Sequence, residues 1–218
     1  ENMDFSRVNL SAAHIAKTLG DLDIKIKDVI VNHGHWVNSN GKEGMRADLS
    51  KMDLSGESLQ GVNLSAADLS FAVLKGANLS KSEFLMTDFT FADMRGAILA
   101  RADLRGVKMS RTNLTGATMV GVVLSEVSIS AHDDGGGQWR ASLENATLRG
   151  AMLNGAVIKN MDMEGADFRE ADLRDADLTG SLLMDADFTD ADLCGTKLDK
   201  TDQRGTKGIP KKYEDDED

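Results

Sequence analysis

The sequence is poor in the residues that most often fix the shape or the chemistry of a small protein. Its 218 residues include one Cys, one Pro, one Tyr, two Trp and seven Phe. The single cysteine, Cys194, excludes an internal disulfide and a cysteine-based zinc site. With so few aromatic rings, a hydrophobic core has to be built from Leu, Ala and Met. No apolar run approaches the roughly 18 residues of a membrane-spanning helix and no secretory signal is visible, so we expect a cytoplasmic protein without a membrane partner.

Positive charge is also scarce, and the shortage is local. The chain carries 25 basic and 36 acidic residues, a formal net charge of -11, which argues against direct binding of nucleic acid. With 41% hydrophobic residues, it is too apolar for a disordered acidic tail. Residues 161–202 hold 4 basic and 13 acidic side chains, whereas residues 1–160 hold 17 and 18. Nearly the whole acidic excess therefore lies in one segment near the C-terminus.

A large apolar residue returns at every fifth position over most of the chain. The series runs from Leu49 to Ile129, is interrupted by the nine residues 132–140, and continues from Leu143 to Leu198. Two positions before each member lies a small residue, most often Ala, and a polar residue, most often Asp or Asn, stands between the two. Ser, Thr or Arg follows, and then frequently Gly. The consensus of the repeat is Ala-Asp-Leu-Ser/Arg-Gly.

A period of five fits a coil of short strands rather than a helix. On a helix, five steps turn the chain by about 500°, so the large residues would be spread around its circumference. In a strand, the small and the large residue point inward and the residue between them points outward. The last two residues, often ending in Gly, suit a corner with unusual dihedral angles. Four such sides close a square coil of about twenty residues, and successive coils stack about 4.8 Å apart.

On this pattern the chain resembles the pentapeptide repeat family over residues 47–205. The resemblance implies an all-β fold, a right-handed quadrilateral β-helix of about seven coils. It divides the chain into an N-terminal region 1–46, the repeat region 47–205 and a charged tail 206–218. Residues 3–17 also parse as pentads, and they either begin a first coil or end a preceding segment.

An amphipathic segment precedes the repeats. Its apolar side recurs at the three- and four-residue spacing of a helix: Leu22, Ile26, Val29, Ile30, His33 and Trp36. Because a solenoid exposes an apolar cross-section at its end, we interpret this helix, with Trp36, as the N-terminal cap. His33 and His35 have no other ligand at metal spacing, so capping or core packing is favoured over a metal site.

The segment also resembles the leader that precedes the repeats in some bacterial members of the family. The resemblance is carried by His33, Trp36, Ser39, Gly41, Gly44 and Arg46.

The interruption at residues 132–140 predicts a loop that projects from one corner of the rod. Gln138, Trp139 and Arg140 are residue types favoured at protein interfaces, so they form a candidate interaction loop. Trp139 has an alternative placement, folded back on the wall of the rod. His132 and the two aspartates after it are followed by three glycines, which favours a flexible loop over a metal site.

An apolar patch is predicted on the outer wall. Phe71 and Phe91 are twenty residues apart, so they lie one above the other at a corner that is usually small or polar, and Val73 lies beside them. Such exposed apolar patches often mark contacts. Three interpretations stay open: lateral packing of the N-terminal segment, a dimer or partner contact, and simple tolerance of large residues.

The acidic excess maps to two adjacent faces of the last coils. The candidate acidic surface consists of Asp167, Glu170, Asp187 and Asp190 on one face, and of Asp172, Asp175 and Asp192 on the next. Arg169 and Arg174 are interleaved and weaken its field. Periodic carboxylates can imitate the phosphates of duplex DNA. The family resemblance implies this mechanism for relatives that protect DNA gyrase and topoisomerase IV from quinolones, whereas solubility is the simpler interpretation.

No part of the sequence resembles a catalytic apparatus, so we expect neither an enzyme nor a cofactor. Two functions remain. The first is a non-catalytic scaffold for an unidentified protein partner, and the second is a DNA-mimicking modulator of a type II topoisomerase. The charged tail lacks the apolar helix that commonly pairs dimers of the second kind, which favours the first function. Both a monomer and a homodimer are compatible with the sequence.

Overall fold

The structure is a computed structural model that describes residues 17–18, 25–129 and 137–210. One helix, α1 (Ile26–Asn38), precedes the repeats. The strands are β1 (Lys17–Thr18), β2 (Met52–Asp53), β3 (Val123–Ser125), β4 (Val127–Ile129), β5 (Gly137–Trp139) and β6 (Val157–Lys159). β1 pairs with β2 and β3 with β6 in parallel, whereas β4 and β5 form an antiparallel hairpin.

The pentads build four parallel ladders that run along the rod. The middle residue of each pentad pairs with the residue twenty positions later, as in the series Asp48, Asp68, Asp88 and Lys108. We number the four walls by where their ladders start: wall 1 at Asp48, wall 2 at Asp53, wall 3 at Ser58 and wall 4 at Asn63. The eight rungs of wall 1, at positions 48, 68, 88, 108, 142, 162, 182 and 202, enclose seven coils. The predicted quadrilateral β-helix is confirmed.

The interior is filled by the two inward positions of each pentad. The large central residues from Leu54 to Phe188 have no exposed surface within the coils. Where a buried Ser or Thr replaces the small Ala, its hydroxyl donates to a backbone carbonyl of the preceding coil, as Thr112 Oγ1 does to Phe89 O at 2.8 Å. Because every buried side-chain donor and acceptor in the described residues has a partner, these polar replacements do not weaken the core.

The corners hold the backbone in the left-handed region, as the glycine pattern predicts. Gly155 has a φ of 65°, and residues with side chains adopt the same conformation, for example Lys81 and Arg101 at 58°. Where the wall residue is Asp or Asn, its side chain stabilises a local turn before the corner: Asp48 Oδ1 accepts from the Ser50 N–H at 3.0 Å and from its hydroxyl at 2.7 Å. This turn explains why Asp or Asn precedes the central Leu so often.

The insertion is longer than the nine residues predicted. Lys108 pairs with Ser142, which lies 34 positions later instead of twenty, so 14 residues leave the coil between walls 4 and 1. The assignment of Ile129 to the core series is therefore wrong: its backbone pairs with Gly137 in the β4–β5 hairpin. The error has a physical cause, since a strand of alternating Val127, Ser128 and Ile129 continues the five-residue rhythm without belonging to a coil.

The two ends of the rod differ. At the N-terminal end, Ile26, Val29 and Ile30 of α1 pack against the core. At the other end, a cavity of about 440 Å³ opens beside Leu193, Leu198 and other side chains. Leu22, the pentads before Lys17 and the tail beyond Pro210 lie outside the described residues. In the part of the chain that is described, no helix is long and apolar enough to cross a bilayer.

Candidate functional site

Phe71 and Phe91 lie at the same corner of consecutive coils, between walls 1 and 2. Their ring centroids are 4.9 Å apart and their planes differ by 12°, so the rings are stacked. The side chains stay 47% and 44% exposed. The guanidinium of Arg111, one coil further along the same corner, lies 5.5 Å from the centroid of Phe91. We call Phe71, Phe91 and the neighbouring Val73 of wall 2 the aromatic patch.

Both phenylalanines occupy a backbone conformation that does not suit a bulky residue. Their φ angles are 59° and 61°. The left-handed conformation costs an L-residue about 1 kcal/mol or more, whereas glycine adopts it freely. A stacked aromatic pair contributes about 0.5–1.5 kcal/mol beyond its buried area. Stacking therefore offsets much of the strain, but it leaves both rings open to solvent.

The surroundings of the aromatic patch carry charges of both signs. On wall 2, Lys75 and Arg95 both pair with Asp93, at 3.4 Å and 2.7 Å. On wall 1, Asp68 and Asp88 accept hydrogen bonds from the backbone of the pentads to which they belong. These wall 1 carboxylates continue the ladder that starts at Asp48, and they are an acidic column that the sequence analysis missed. The twenty-residue spacing of Asp48, Asp68 and Asp88 in the sequence was sufficient to predict this acidic column.

The hairpin residue Trp139 folds back on the rod, which is the second of the two placements that the sequence left open. Its indole Nε1 donates to Gly106 O at 2.9 Å, and Lys108 Nζ lies 5.0 Å from the ring centroid. A Cβ at Gly106 would lie 2.9 Å from Val127 and 3.3 Å from the Trp139 ring. Glycine at this corner therefore makes room for the hairpin, and Trp139 anchors it.

The other two members of the predicted loop contribute less to the described structure. Arg140 is exposed at the base of the hairpin. The side chain of Gln138 lies outside the described residues, and so does the segment at His132, for which the sequence predicted a flexible loop and not a metal site. A second contact fixes the opposite side of the hairpin base, where Asn160 Nδ2 donates to Glu126 Oε1 at 2.8 Å.

The acidic residues of the last coils lie on two adjacent walls. Asp167 pairs with Asp187 as rungs of wall 2, and Asp172 pairs with Asp192 on wall 3. Glu170, Asp190 and Asp175 occupy positive-φ corners beside them.

Arginines neutralise part of this acidic surface. Arg169 contacts Asp167 and Arg174 contacts Asp172, each at 2.6 Å, while Arg149 contacts Glu170 at 2.5 Å. Hydrogen bonds from these guanidinium groups hold the pKa of Asp167 and of Asp172 below its ordinary value. In the described part of the chain, Asp175, Asp187 and Asp190 have no basic side chain within ion-pair distance. Of the seven carboxylates in the candidate acidic surface, all among the described residues, only these three form no ion pair, and the positive charges of Lys207 and Arg169 still act on Asp187.

The buried residue of the N-terminal cap is His33, and Trp36 is only half-buried. The His33 ring has no exposed surface, and it hydrogen-bonds with both nitrogens. Nδ1 accepts from the Ala47 N–H at 3.0 Å, and Nε2 lies 3.1 Å from Ser65 O. Trp36 stacks on this ring with centroids 5.6 Å apart. His35 is exposed, and no described group of three or more potential ligands could hold a metal ion.

The sequence profile of pentapeptide repeats matches eight copies, over residues 45–80, 87–126, 139–169 and 162–199. Between the matched ranges, residues 81–86 and 127–138 are not covered, and the second gap coincides with the hairpin. No protein of curated function matches the sequence.

Solved structures with the same architecture are distant in sequence. A trypsin-treated variant of QnrB1, a plasmid-mediated fluoroquinolone resistance protein, matches with a TM-score of 0.52 and 17% identity, over 69% of this chain and 77% of that one. HetL, involved in heterocyst differentiation regulation in the cyanobacterium Nostoc sp. strain PCC 7120, is 24% identical over 81% of this chain and 94% of its own, with a TM-score of 0.28. A protein of the Arabidopsis thaliana thylakoid lumen is 27% identical over 59% and 66%, with a TM-score of 0.36. The similarity to QnrB1 shows the fold alone.

Proposed function

Because the chain belongs to the pentapeptide repeat family, we propose that it is a cytoplasmic, non-catalytic scaffold that binds a protein partner through the aromatic patch. Pentapeptide repeat proteins are generally structural or interaction modules. In this proposal residues 1–46 cap the rod, residues 47–205 form it, and residues 206–218 are a tail. The rod holds the patch rigidly, so a partner that binds it orders little of the scaffold.

The exposed stack of Phe71 and Phe91 carries the proposal. Many corners of the rod are glycine, and each phenylalanine keeps an unfavourable φ while almost half of its side chain faces water. Other non-glycine corners of the rod share the positive φ, so the exposed aromatic area is the distinguishing feature, and such apolar patches often mark interaction sites. Aromatic side chains that lie preformed in a rigid surface are also the usual anchors of protein interfaces.

Affinity capture with a matched control tests the proposal. The Phe71→Gly/Phe91→Gly protein removes the rings without disturbing the corner conformation. The control, Lys81→Gly/Arg101→Gly, makes the same change at two exposed positive-φ corners of the same coils. We expect a partner that is retained by the wild type and the control and lost by the phenylalanine variant. Equal retention by all three proteins would contradict the proposal.

DNA mimicry is the second candidate, and the carboxylates without an ion pair, Asp175, Asp187 and Asp190, favour it. Asp187 lies one coil beyond Asp167, and Asp190 lies one coil beyond Glu170, so carboxylates recur along the rod at the repeat of the ladder, as phosphates recur along a duplex. A type II topoisomerase is the partner that this candidate predicts. The ion pairs that Asp167 and Asp172 form with arginines weaken the negative field of the acidic surface, so mimicry is the second candidate and not the first.

The two functions separate in a gyrase supercoiling assay with ciprofloxacin. Mimicry predicts that the protein forms a symmetric dimer by light scattering and alters supercoiling or drug inhibition. It also predicts that an Asp175→Asn/Asp187→Asn/Asp190→Asn protein loses the effect. A monomer without effect on supercoiling or on inhibition rules out the mimic.

A further inference from the structure

We propose that His33 makes the N-terminal cap responsive to pH, so that protonation of its ring releases α1 from the first coil. The His33 ring is fully buried between α1 and the rod. It joins the two by hydrogen bonds to backbone groups, the N–H of Ala47 at the entry to wall 1 and the carbonyl of Ser65 at the end of the first coil.

The two bonds together require the neutral ring, because only that form can accept at Nδ1 while it donates from Nε2. Nδ1 faces the Ala47 N–H and accepts from it, so Nε2 carries the proton and donates to Ser65 O. Protonation places a second N–H against the Ala47 N–H. It removes that hydrogen bond, leaves the N–H of the 3% exposed Ala47 without the acceptor that Nδ1 provided, and buries a positive charge.

The charged groups around the ring do not offset this cost. Arg46, in the segment that enters wall 1, donates from Nε to Ala66 O at 2.5 Å and lies close enough to disfavour a second positive charge. Asp48, on the first rung, is committed to the backbone and hydroxyl of Ser50. On α1 itself, His35 and Asp28 are the nearest titratable groups in sequence, and His35 is exposed. Among the described residues, no carboxylate forms an ion pair with His33.

The sign of the pH effect follows from this arrangement. Burial lowers the pKa of His33 below 6.5, the bond to Ser65 opposes the shift, and Arg46 adds to it. The released ring binds a proton more readily than the docked one, so docking is fully stable above about pH 6.5 and weakens as the pH falls toward the lowered value. Within that window each pH unit favours the released cap about tenfold.

Release of α1 uncovers the apolar end of the rod. Ile26, Val29 and Ile30 lose their contact with the core, and the first coil loses its cover. Asp48, on the first rung, does not contribute to a response in this window, because hydrogen bonds from Ser50 hold its pKa below the ordinary value.

The test follows Trp36 fluorescence in the full chain between pH 7.5 and pH 4, in a Trp139→Phe background that leaves Trp36 as the only indole. We compare three proteins: this background, the same with His33→Gln, and the same with His35→Gln as the matched control from the exposed side of the helix. NMR titration of the His33 ring in the unmodified chain provides a second readout that does not depend on the folding of any variant.

The proposal expects a reversible transition with a midpoint below pH 6.5 in the background and in the His35→Gln protein, and none in the His33→Gln protein. It also expects the His33 ring to titrate below 6.5, together with increased exchange of the Ala47 amide. A transition that survives in His33→Gln, a transition that disappears in His35→Gln, an unchanged signal in the background, or a His33 pKa at or above 6.5 would each overturn it.

Discussion

The ring of Phe71 stacks 4.9 Å from the ring of Phe91 in the next coil, and both residues hold a φ near 60°. Neither ring belongs to the core, since almost half of each side chain is exposed. The rod would lose little stability if both residues were glycine. The pair therefore provides a large apolar surface whose contribution to stability is small.

Replacing both phenylalanines by glycine should leave the stability of the rod nearly unchanged. The loss of stacking, about 0.5–1.5 kcal/mol, is opposed by relief of about 1 kcal/mol of strain at each corner, and the entropy of unfolded glycine offsets part of that relief. We expect the midpoint of thermal unfolding to move by less than about 5 °C. A much larger fall would show that the stack is structural, and it would remove the argument for a binding role.

The asparagine side chains at the corners occupy the space above the next glycine. An added Cβ at Gly165 would lie 2.6 Å from Asn145 Oδ1, whereas one at Gly155 would meet nothing within 4 Å, and both glycines have a φ of 65°. Gly155→Ala should cost about 1 kcal/mol from backbone strain alone. Gly165→Ala should cost about 1 kcal/mol more because it also displaces the asparagine. Urea unfolding midpoints of the two variants provide the comparison.

Removing the Asn145 side chain should make the stability cost of Gly165→Ala equal to that of Gly155→Ala. We expect Asn145→Gly/Gly165→Ala, which avoids a new Cβ at the positive φ of 54° at position 145, to unfold near the midpoint of Gly155→Ala. If the double variant were no more stable than Gly165→Ala, the clash would not be the cause of the loss.

Trp139 should stabilise the docked hairpin without contributing to the stability of the rod itself. Trp139→Phe removes the indole donor to Gly106 O and should weaken docking by about 1 kcal/mol. Trp139→Ala should release the hairpin, which limited proteolysis would detect as faster cleavage within residues 126–140. Arg140→Ala, at an exposed neighbour, is the control. A loss of circular dichroism across the whole rod would contradict this division.

Asp177 on wall 4 should make stability depend on acid pH. Burial alone would raise its pKa, but hydrogen bonds from Thr179 and Lys159 hold the pKa at about 2. Since the folded value lies below the unfolded value of 3.8, the contribution of Asp177 is present above pH 3.8 and is lost as the pH falls toward 2. Lys159→Met should raise the pKa and lower stability at pH 7, and the deficit should vanish below about pH 2. Carboxyl NMR titration with unfolding at pH 7 and pH 2 checks both statements.

The five-residue period was sufficient to predict the walls, the inward residues and the twenty-residue stacking of Phe71 on Phe91. Each of these depends only on local geometry that repeats without change. The period failed at Ile129, because a hairpin strand preserves the same rhythm for one more pentad. The period also could not place Trp139. Its indole donates to the carbonyl of Gly106, 33 residues away, and nothing in the sequence distinguishes Gly106 from the other corner glycines.

The cap shows a second limit of sequence reasoning. The helical spacing predicted the apolar side of α1 and a capping or packing role for His33, but it did not predict that His33, and not the larger Trp36, is the fully buried residue. Burial of His33 depends on the Ala47 N–H and on Ser65 O, which are backbone groups without a sequence signature.

Binding of the captured partner at two salt concentrations tests the central claim most directly. Calorimetry would compare the wild type, Phe71→Gly/Phe91→Gly and Asp175→Asn/Asp187→Asn/Asp190→Asn at about 50 mM and about 300 mM salt. An aromatic interface predicts at least about a tenfold loss of affinity, or about 1.4 kcal/mol, in the phenylalanine variant at both salt concentrations, with less than about a threefold change in the aspartate variant. Full affinity of the phenylalanine variant, together with salt-sensitive binding that the aspartate variant loses, would contradict the account and establish the acidic surface as the binding site.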